Sequence, residues 1–245
     1  MFNLFKKKPS SQEQLGLLHT DVHSHLLPGI DDGSPDLETS IQLITELKQL
    51  GYKKLVTTPH ILWDMYKNDR ESILRREELV KDELIKRNID IQFKAAAEYY
   101  VDGHFSQLLN QRIPLLTLYE DWVLIEFSFV SLPFDLKQNL FQMQLSGYRP
   151  VIAHPERYSY FHRDKEKYHE FAEQGYILQV NLLSLTGYYG KQIQDAANYL
   201  VKNKLVSLLG TDLHHTRHLA AINNDSLFRR VKQVMEECEI LNAYV

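Results

Sequence analysis

The chain has 245 residues, 44% of them hydrophobic, which is enough for a sizeable core in one α/β barrel or two small domains. A net charge of −4 provides no electrostatic footprint for nucleic acid or an anionic membrane. The single cysteine, Cys238, excludes an internal disulfide and a cysteine-rich zinc module, and is compatible with a reducing cytoplasm.

At the N-terminus, Phe2, Leu4 and Phe5 precede Lys6, Lys7 and Lys8, and no apolar stretch follows. This is not a secretory signal. Residues 1–14 read as a disordered tail, with weak membrane or partner contact as the alternative. No apolar run approaches the roughly 20 residues of a transmembrane helix. From Leu17 onward, apolar strands alternate with amphipathic helices. The strands are expected near 18–23, 53–58, 90–97, 121–126, 149–153, 176–180 and 205–209. Several are continuous apolar runs, as expected of strands covered on both faces. Leu37, Ile41, Ile44 and Leu47 follow helical spacing, with Asp36 or Ser34 as the cap and Pro35 near the first turn. A charge-rich helix is expected around 70–87. Ile193, Ala196, Ala197 and Leu200 mark another helix, and Cys238 falls in the last. This alternation predicts parallel βα units in one domain, 15–245.

Imidazoles and carboxylates recur at the ends of these strands. His23 and His25 follow the first, His60 the second, Glu98 the third, Glu126 the fourth, His154 the fifth, and Asp212 and His214 the last; Asn181 follows the remaining one. In parallel barrels that end carries the active site. A doubly wound open sheet is the main alternative, but it concentrates its site at one switch point and uses two or three strand ends. A ring brings all of them to one mouth, so a small, distorted barrel is preferred. Period-two alternation puts the two imidazoles of His-x-His on one side, and Asp-x-His at 212 and 214 repeats that geometry. Glu98 and Glu126 can bridge neighbouring cations, and Asp31 or Asp32 can add an oxygen from the first loop. Taken singly, each residue has an ordinary structural explanation: His60 as a loop histidine, Glu126 as a buried ion-pair carboxylate. Together they point to a polynuclear metal site. Nitrogen and oxygen donors suit Mn²⁺, Zn²⁺ or Fe. His104, His162, His169, His215 and His218 lack a comparable position.

Six segments carry a resemblance: Asp-Val-His-Ser-His-Leu-Leu-Pro-Gly-Ile-Asp-Asp-Gly, Thr-Thr-Pro-His, Ala-Glu-Tyr-Tyr, Leu-Ile-Glu-Phe-Ser, Ile-Ala-His-Pro-Glu-Arg-Tyr and Gly-Thr-Asp-Leu-His. From about Leu18 to the C-terminus the chain resembles the polymerase and histidinol phosphatase (PHP) superfamily. Within it the chain looks most like the bacterial manganese-dependent tyrosine-protein phosphatases of capsule and exopolysaccharide operons. The resemblance implies a PHP-type distorted (β/α)7 TIM-like barrel holding two or three ions, with Mn²⁺ first and Zn²⁺, Fe or Mg²⁺ as alternatives. It implies that His23, His25, Glu98 and Asp212 hold one ion, Glu98, His60 and His154 a second, and Asp32, Glu126 and His214 a third. It also implies catalytic arginines, for which Arg157 and Arg217 are the matches.

The chemistry expected of such a site is direct in-line hydrolysis of a phosphate monoester by hydroxide held between two ions, without a phosphoenzyme. Arg157 can present a planar fork to phosphate, or can pair with Glu156 or Asp164. A cysteine mechanism is excluded, because no arginine follows Cys238. Tyr99, Tyr100, Phe127, Phe129, Tyr158, Tyr160, Tyr188 and Tyr189 lie near strand ends and can either line the mouth for a phenyl ring or pack the barrel top. The expected function is therefore a cytoplasmic protein-tyrosine phosphatase acting on the tail of a bacterial tyrosine kinase. A small-molecule phosphatase such as histidinol phosphatase is the alternative, and a non-catalytic PHP scaffold the second. An exonuclease is disfavoured by the acidic charge.

Overall fold

A computed structural model describes residues 15–245; the reading of residues 1–14 as a tail lies outside them. Among the described residues, nine strands and eight α-helices make up an α/β fold in which every strand pairing is parallel. The strands are β1 (Thr20–Asp21), β2 (Lys54–Thr57), β3 (His60–Ile61), β4 (Gln92–Ala95), β5 (Glu98–Tyr100), β6 (Trp122–Glu126), β7 (Arg149–Ala153), β8 (Ile177–Asn181) and β9 (Leu208–Gly210). They form two ladders, β1-β2-β4 and β3-β5-β6-β7-β8-β9. Each runs in chain order, without the reversal that marks a doubly wound sheet.

Two expected strands, 53–58 and 90–97, are each followed by a second short strand. Pro59 offers no N–H to a ladder, and the chain passes there from β2 into β3, so His60 lies in a strand rather than after a turn. Ala96 and Ala97 separate β4 from β5. The two segments still run side by side, since Ala96 N–H donates to Thr57 O at 2.8 Å and Glu98 N–H to Pro59 O at 3.1 Å. Beyond β1 and β9 the chain also runs in parallel. Ser24 pairs with Leu213, and Asp212 N–H donates to His23 O at 2.7 Å.

Helices cover the outer faces of the strands. In α1 (Leu37–Gln49), Asp36 accepts from Thr39 N–H and caps the first turn, and Ile41, Ile44 and Leu47 are buried. In α2 (Arg70–Lys86), Asp69 and Ser72 form a capping box. The solvated face of α2 carries Arg75–Glu71 and Lys81–Glu78 pairs, while Ile73, Val80 and Leu84 are buried. The others are α3 (Gly103–Asn110), α4 (Leu136–Leu145), α5 (Glu166–Glu173), α6 (Lys191–Lys202), α7 (Thr216–Ile222) and α8 (Asp225–Glu237). Cys238 is the buried C-cap of α8, one residue past the helix, with its Sγ 3.5 Å from Val201 O. Among the described residues no helix is long and apolar enough to cross a membrane.

The core is in two parts. The larger part lies between strands and helices and includes Leu43, Ile44, Leu55, Ile125, Ile152, Val180 and Leu209. The smaller contains Val22, Val56, Ala96, Leu124, Val151, Ile177 and Leu208, from the opposite face of the strands. Period-two alternation within each strand makes this division.

Candidate active site

The side chains singled out at the strand ends converge. His23 and His25 follow β1 on alternate residues, and their Nε2 atoms lie 3.4 Å apart. Glu98 opens β5 and is fully buried. Its Oε2 lies 3.2 Å from His23 Nε2, 3.4 Å from His25 Nε2 and 3.2 Å from His60 Nδ1, while its Oε1 lies 3.2 Å from His154 Nε2. Asp212 Oδ1 is 3.5 Å from His23 Nε2 and 3.4 Å from His214 Nδ1. Asp32 Oδ1 lies 3.6 Å from both His60 Nε2 and His214 Nε2. Glu126 approaches His60 Nδ1 at 3.6 Å and His154 Nε2 at 3.7 Å.

Four overlapping groups of donor atoms are close enough to share an ion: His23, His25 and Glu98; His23, His154 and Asp212; His60, Glu98 and Glu126; and His25, Asp32, His60 and His214. These groups divide the same residues differently from the three expected sets: Asp212 and His154 stand together with His23. Glu126 stands with His60 and Glu98, and Asp32 and His214 stand with His25 and His60. Glu126 closes β6, in the same ladder as His60 and Glu98, whereas Asp32 comes from the loop after β1.

The backbone is shaped for this convergence. His154 and Asp212 adopt left-handed φ of 33° and 50°, uncommon for residues with a Cβ. At His154 the turn leads into a 3-10 segment, Pro155–Arg157, which swings Arg157 back over the strand ends. Two glycines allow close approach. A Cβ on Gly210 would meet Gln179 Nε2 and His23 Cβ at 2.7 Å, and one on Gly33 would meet His25 O at 2.2 Å.

A second layer orients the imidazoles. His23 Nδ1–H donates to Gln179 Oε1 at 2.7 Å. Gln179 Nε2 donates to Asn181 Oδ1, and Asn181 Nδ2 to Asp212 Oδ2 at 2.7 Å. His25 Nδ1–H donates to Asp31 Oδ2 at 2.8 Å, and His214 Nδ1–H to Asp212 O at 2.9 Å. In all three histidines, Nε2 is left facing the convergence point, the arrangement seen behind metal-ligating imidazoles. Asp31 thus lies behind His25, while Asp32 faces the opening. Asp21 accepts from Thr211 N–H and Oγ1 at 3.0 and 2.8 Å and ties the Asp212 segment to β1. Burial pushes the Asp21 carboxyl up to about 6.

The electrostatics favour cations. Burial opposes charge on Glu98, but His23 and His60 outweigh it and hold the carboxyl well below its usual range. Burial also opposes charge on His23, and Glu98 and Asp212 overcome it and raise the imidazole. Glu126 is pushed well above the usual carboxylate range by burial and by the charges of Glu98 and Asp212. Divalent ions among these groups would replace the imidazole protons and relieve the carboxylate repulsion. The donor set fits them: His60 Nδ1 is buried beside two carboxylates without a hydrogen-bond partner. All donors are nitrogen or oxygen, as Mn²⁺, Zn²⁺ and Fe accept.

A cleft of about 280 Å³ opens over this cluster, lined by Asp32, Glu126, His154, Arg157 and Asp212 together with Phe129 and Tyr189. A larger depression of about 770 Å³ lies at the other end of β2 and β4 and has no histidine in its lining. Arg157 Nη1 donates to Asp212 Oδ2 at 2.9 Å, not to Glu156 or Asp164. Glu156 is instead buried behind the turn, accepting from Asn181 N–H and Ser184 Oγ.

Arg217 does not share this position. It is exposed on α7 and outside the cleft lining. The same turn sends in His215 and His218 instead, which spacing alone did not distinguish from solvated histidines. Of the aromatic residues considered, Phe129 and Tyr189 line the cleft. Phe127 and Tyr158 are fully buried, and Tyr99 donates its hydroxyl to no cleft group but lies 2.8 Å from Leu116 N–H as its acceptor. Gln179 was not anticipated; its only sequence signal is its position two residues before Asn181, on the inward face of β8.

Comparison with known proteins identifies the family. Residues 19–237 match the family model described as capsular polysaccharide synthesis, CpsB/CapC. Tyrosine-protein phosphatase YwqE of Bacillus subtilis is 32% identical over 198 residues, 80% of this chain and 78% of that protein. Tyrosine-protein phosphatase CpsB of Streptococcus agalactiae is 30% identical over 201 residues, 80% of this chain and 82% of that one. Among solved structures, one described under YwqE from Bacillus subtilis and CpsB from Streptococcus pneumoniae, unique metal-dependent tyrosine phosphatases, superposes with a TM-score of 0.75. It is 27% identical, and the match covers 89% of this chain and 93% of that chain. By its sequence over most of its length, and with a fold to match, the chain belongs to the CpsB/CapC family of capsular polysaccharide synthesis.

Proposed function

We propose that this protein is a metal-dependent protein-tyrosine phosphatase whose substrate is a phosphotyrosyl protein, the flexible tail of a bacterial tyrosine kinase that governs capsule or exopolysaccharide synthesis. The observation that carries the reading is the convergence of five histidines and four carboxylates at and beneath the cleft that Arg157 lines. The named relatives are tyrosine-protein phosphatases, and they favour neither the histidinol phosphatase nor the scaffold alternative.

The ligands proposed are His23, His25, Asp32, His60, Glu98, Glu126, His154, Asp212 and His214, with Mn²⁺ as the working ion, two or three per chain, in the cytoplasm. When bound, divalent cations neutralise the non-bridging phosphate oxygens and activate water at neutral pH. The chain does the rest. Arg157 turns its free N–H groups toward the phosphate while Asp212 fixes Nη1. Gln179, Asn181 and Asp31 hold the imidazoles in one tautomer. No thiol takes part, since Cys238 is buried at the end of α8. Arg217 has no assigned role.

The architecture is read as a seven-unit, distorted (β/α)7 barrel of PHP type formed by residues 15–245. Three features support it: β2 continuing into β3 alongside β4 into β5, the Ser24–Leu213 pairing beside β1 and β9, and the inner apolar cluster drawing a residue from each unit.

The test is turnover of a phosphotyrosyl peptide, a phosphoseryl peptide and histidinol phosphate by one Mn²⁺-loaded preparation. The expected result is the highest kcat/KM on the phosphotyrosyl peptide. A tenfold advantage for histidinol phosphate, about 1.4 kcal/mol in transition-state binding, would replace this reading with the small-molecule one.

A further inference from the structure

Phe129 and Tyr189 line the cleft but carry no metal-type donor. They reach it from distant parts of the chain: Phe129 from the loop after β6, Tyr189 from the turn before α6. Arg157 Cζ lies 4.8 Å from the Phe129 ring centroid and 4.7 Å from that of Tyr189. The guanidinium therefore packs over two rings while Nη1 is held by Asp212. Such contacts favour the planar, weakly hydrated guanidinium over an ammonium. Phe129 is anchored in turn by stacking on His154, with centroids 5.7 Å apart and planes at 22°.

The Tyr189 hydroxyl is buried and has no hydrogen-bond partner. Leaving a buried O–H unpaired is costly, and burial together with the Asp212 charge keeps this phenol protonated, so it remains a donor. A buried donor on the cleft wall, on the ring that packs against the arginine, lacks only an acceptor. A phosphate oxygen beside the adjacent guanidinium would supply one.

We infer that Tyr189 Oη donates a hydrogen bond to the substrate phosphate beside the Arg157 fork, and that Phe129 and the Tyr189 ring together clamp that fork in place. The inference rests on the phosphatase reading above. Tyr189 is then a phosphate-binding residue, and Phe129 a positioning residue that acts through Arg157. Neighbouring Tyr188, which is 46% exposed and outside the lining, has no such role.

The test uses the full-length, Mn²⁺-loaded protein and two readouts: binding of inorganic phosphate by calorimetry, and steady-state kinetics on a phosphotyrosyl peptide. Tyr189→Phe keeps the ring and removes the donor. It should weaken phosphate binding about tenfold with metal content unchanged, while Tyr188→Phe should bind as wild type does. Phe129→Leu should lower kcat roughly fivefold, Phe129→Tyr should restore it, and in an Arg157→Lys background Phe129→Leu should add no further loss. Wild-type phosphate affinity in Tyr189→Phe overturns the donor. Equal loss from Phe129→Leu in both backgrounds overturns the clamp. If wild-type protein neither binds phosphate nor cleaves the peptide, the phosphatase reading itself falls; if it does both, these variants judge the inference alone.

Discussion

Glu98 organises the site at the scale of single residues. One of its oxygens faces three histidines and the other faces a fourth. Removing it leaves those imidazoles without the carboxylate that links them. Glu98→Ala is therefore expected to lose most bound metal and most activity, as is His23→Ala, while the far-ultraviolet circular dichroism stays native. Elemental analysis beside a turnover assay checks both. Arg157 acts differently. Arg157→Lys keeps the charge but loses the fork, so metal content should hold while kcat/KM falls by roughly 1–3 kcal/mol of transition-state stabilisation. Unchanged kcat/KM would reduce Arg157 to an ion-pair partner of Asp212. Cys238→Ser should turn over at the wild-type rate, because its thiol lies at the end of α8 and outside the cleft.

At the scale of elements, the helices and the loops at the strand ends do separate jobs. Asp102 caps α3 by accepting from Phe105 N–H at 2.8 Å, on the outer layer and away from the cleft lining. Asp102→Ala should cost about 1 kcal/mol of stability, seen as a Tm lowered by roughly 2–4 °C, with activity retained. Gly33 is the opposite case. It sits in the Asp31–Asp32 loop, where a Cβ would meet His25 O at 2.2 Å. Gly33→Ala must push that loop away from His25, breaking the Asp31 hydrogen bond and displacing Asp32. Its expected signature is weaker metal binding by titration, with a smaller change in Tm than in activity.

For the whole molecule, the proposed ligands come from six separate segments of chain, so a cation held by several of them would cross-link the fold. A cation that binds only the folded chain stabilises it by about 2.7 kcal/mol when free cation is about 100 times Kd. Mn²⁺ should accordingly raise the Tm of chelator-treated protein by roughly 5–10 °C and restore phosphatase activity. Calorimetry with and without Mn²⁺ checks it; an unchanged Tm with full activity after chelation would remove the metal from both fold and mechanism.

The sequence by itself determined the α/β alternation, the helix patterns and the list of metal-type residues. Their causes are local: Ile41, Ile44 and Leu47 bury one face of a helix, and His23 and His25 share a side because strand side chains alternate. The cap of α1 was legible to within the choice between Ser34 and Asp36. Family motifs added Asp32 and Arg157. What only the tertiary structure decided depends on register and approach between distant segments. Glu126 stands with His60 and Glu98 because β3, β5 and β6 are successive neighbours in one ladder. Gln179 meets His23 because Gly210 lets β8, β9 and the segment after β1 come close. Arg217 and His218 lie one residue apart in sequence, yet the direction of one short helix leaves the first in solvent and turns the second into the cleft. The strand breaks at Pro59 and at Ala96–Ala97 were equally hidden, because an apolar run shows that a segment is buried but not which ladder it joins. Composition and spacing act along the chain, whereas these contacts exist only once the strands have been placed side by side.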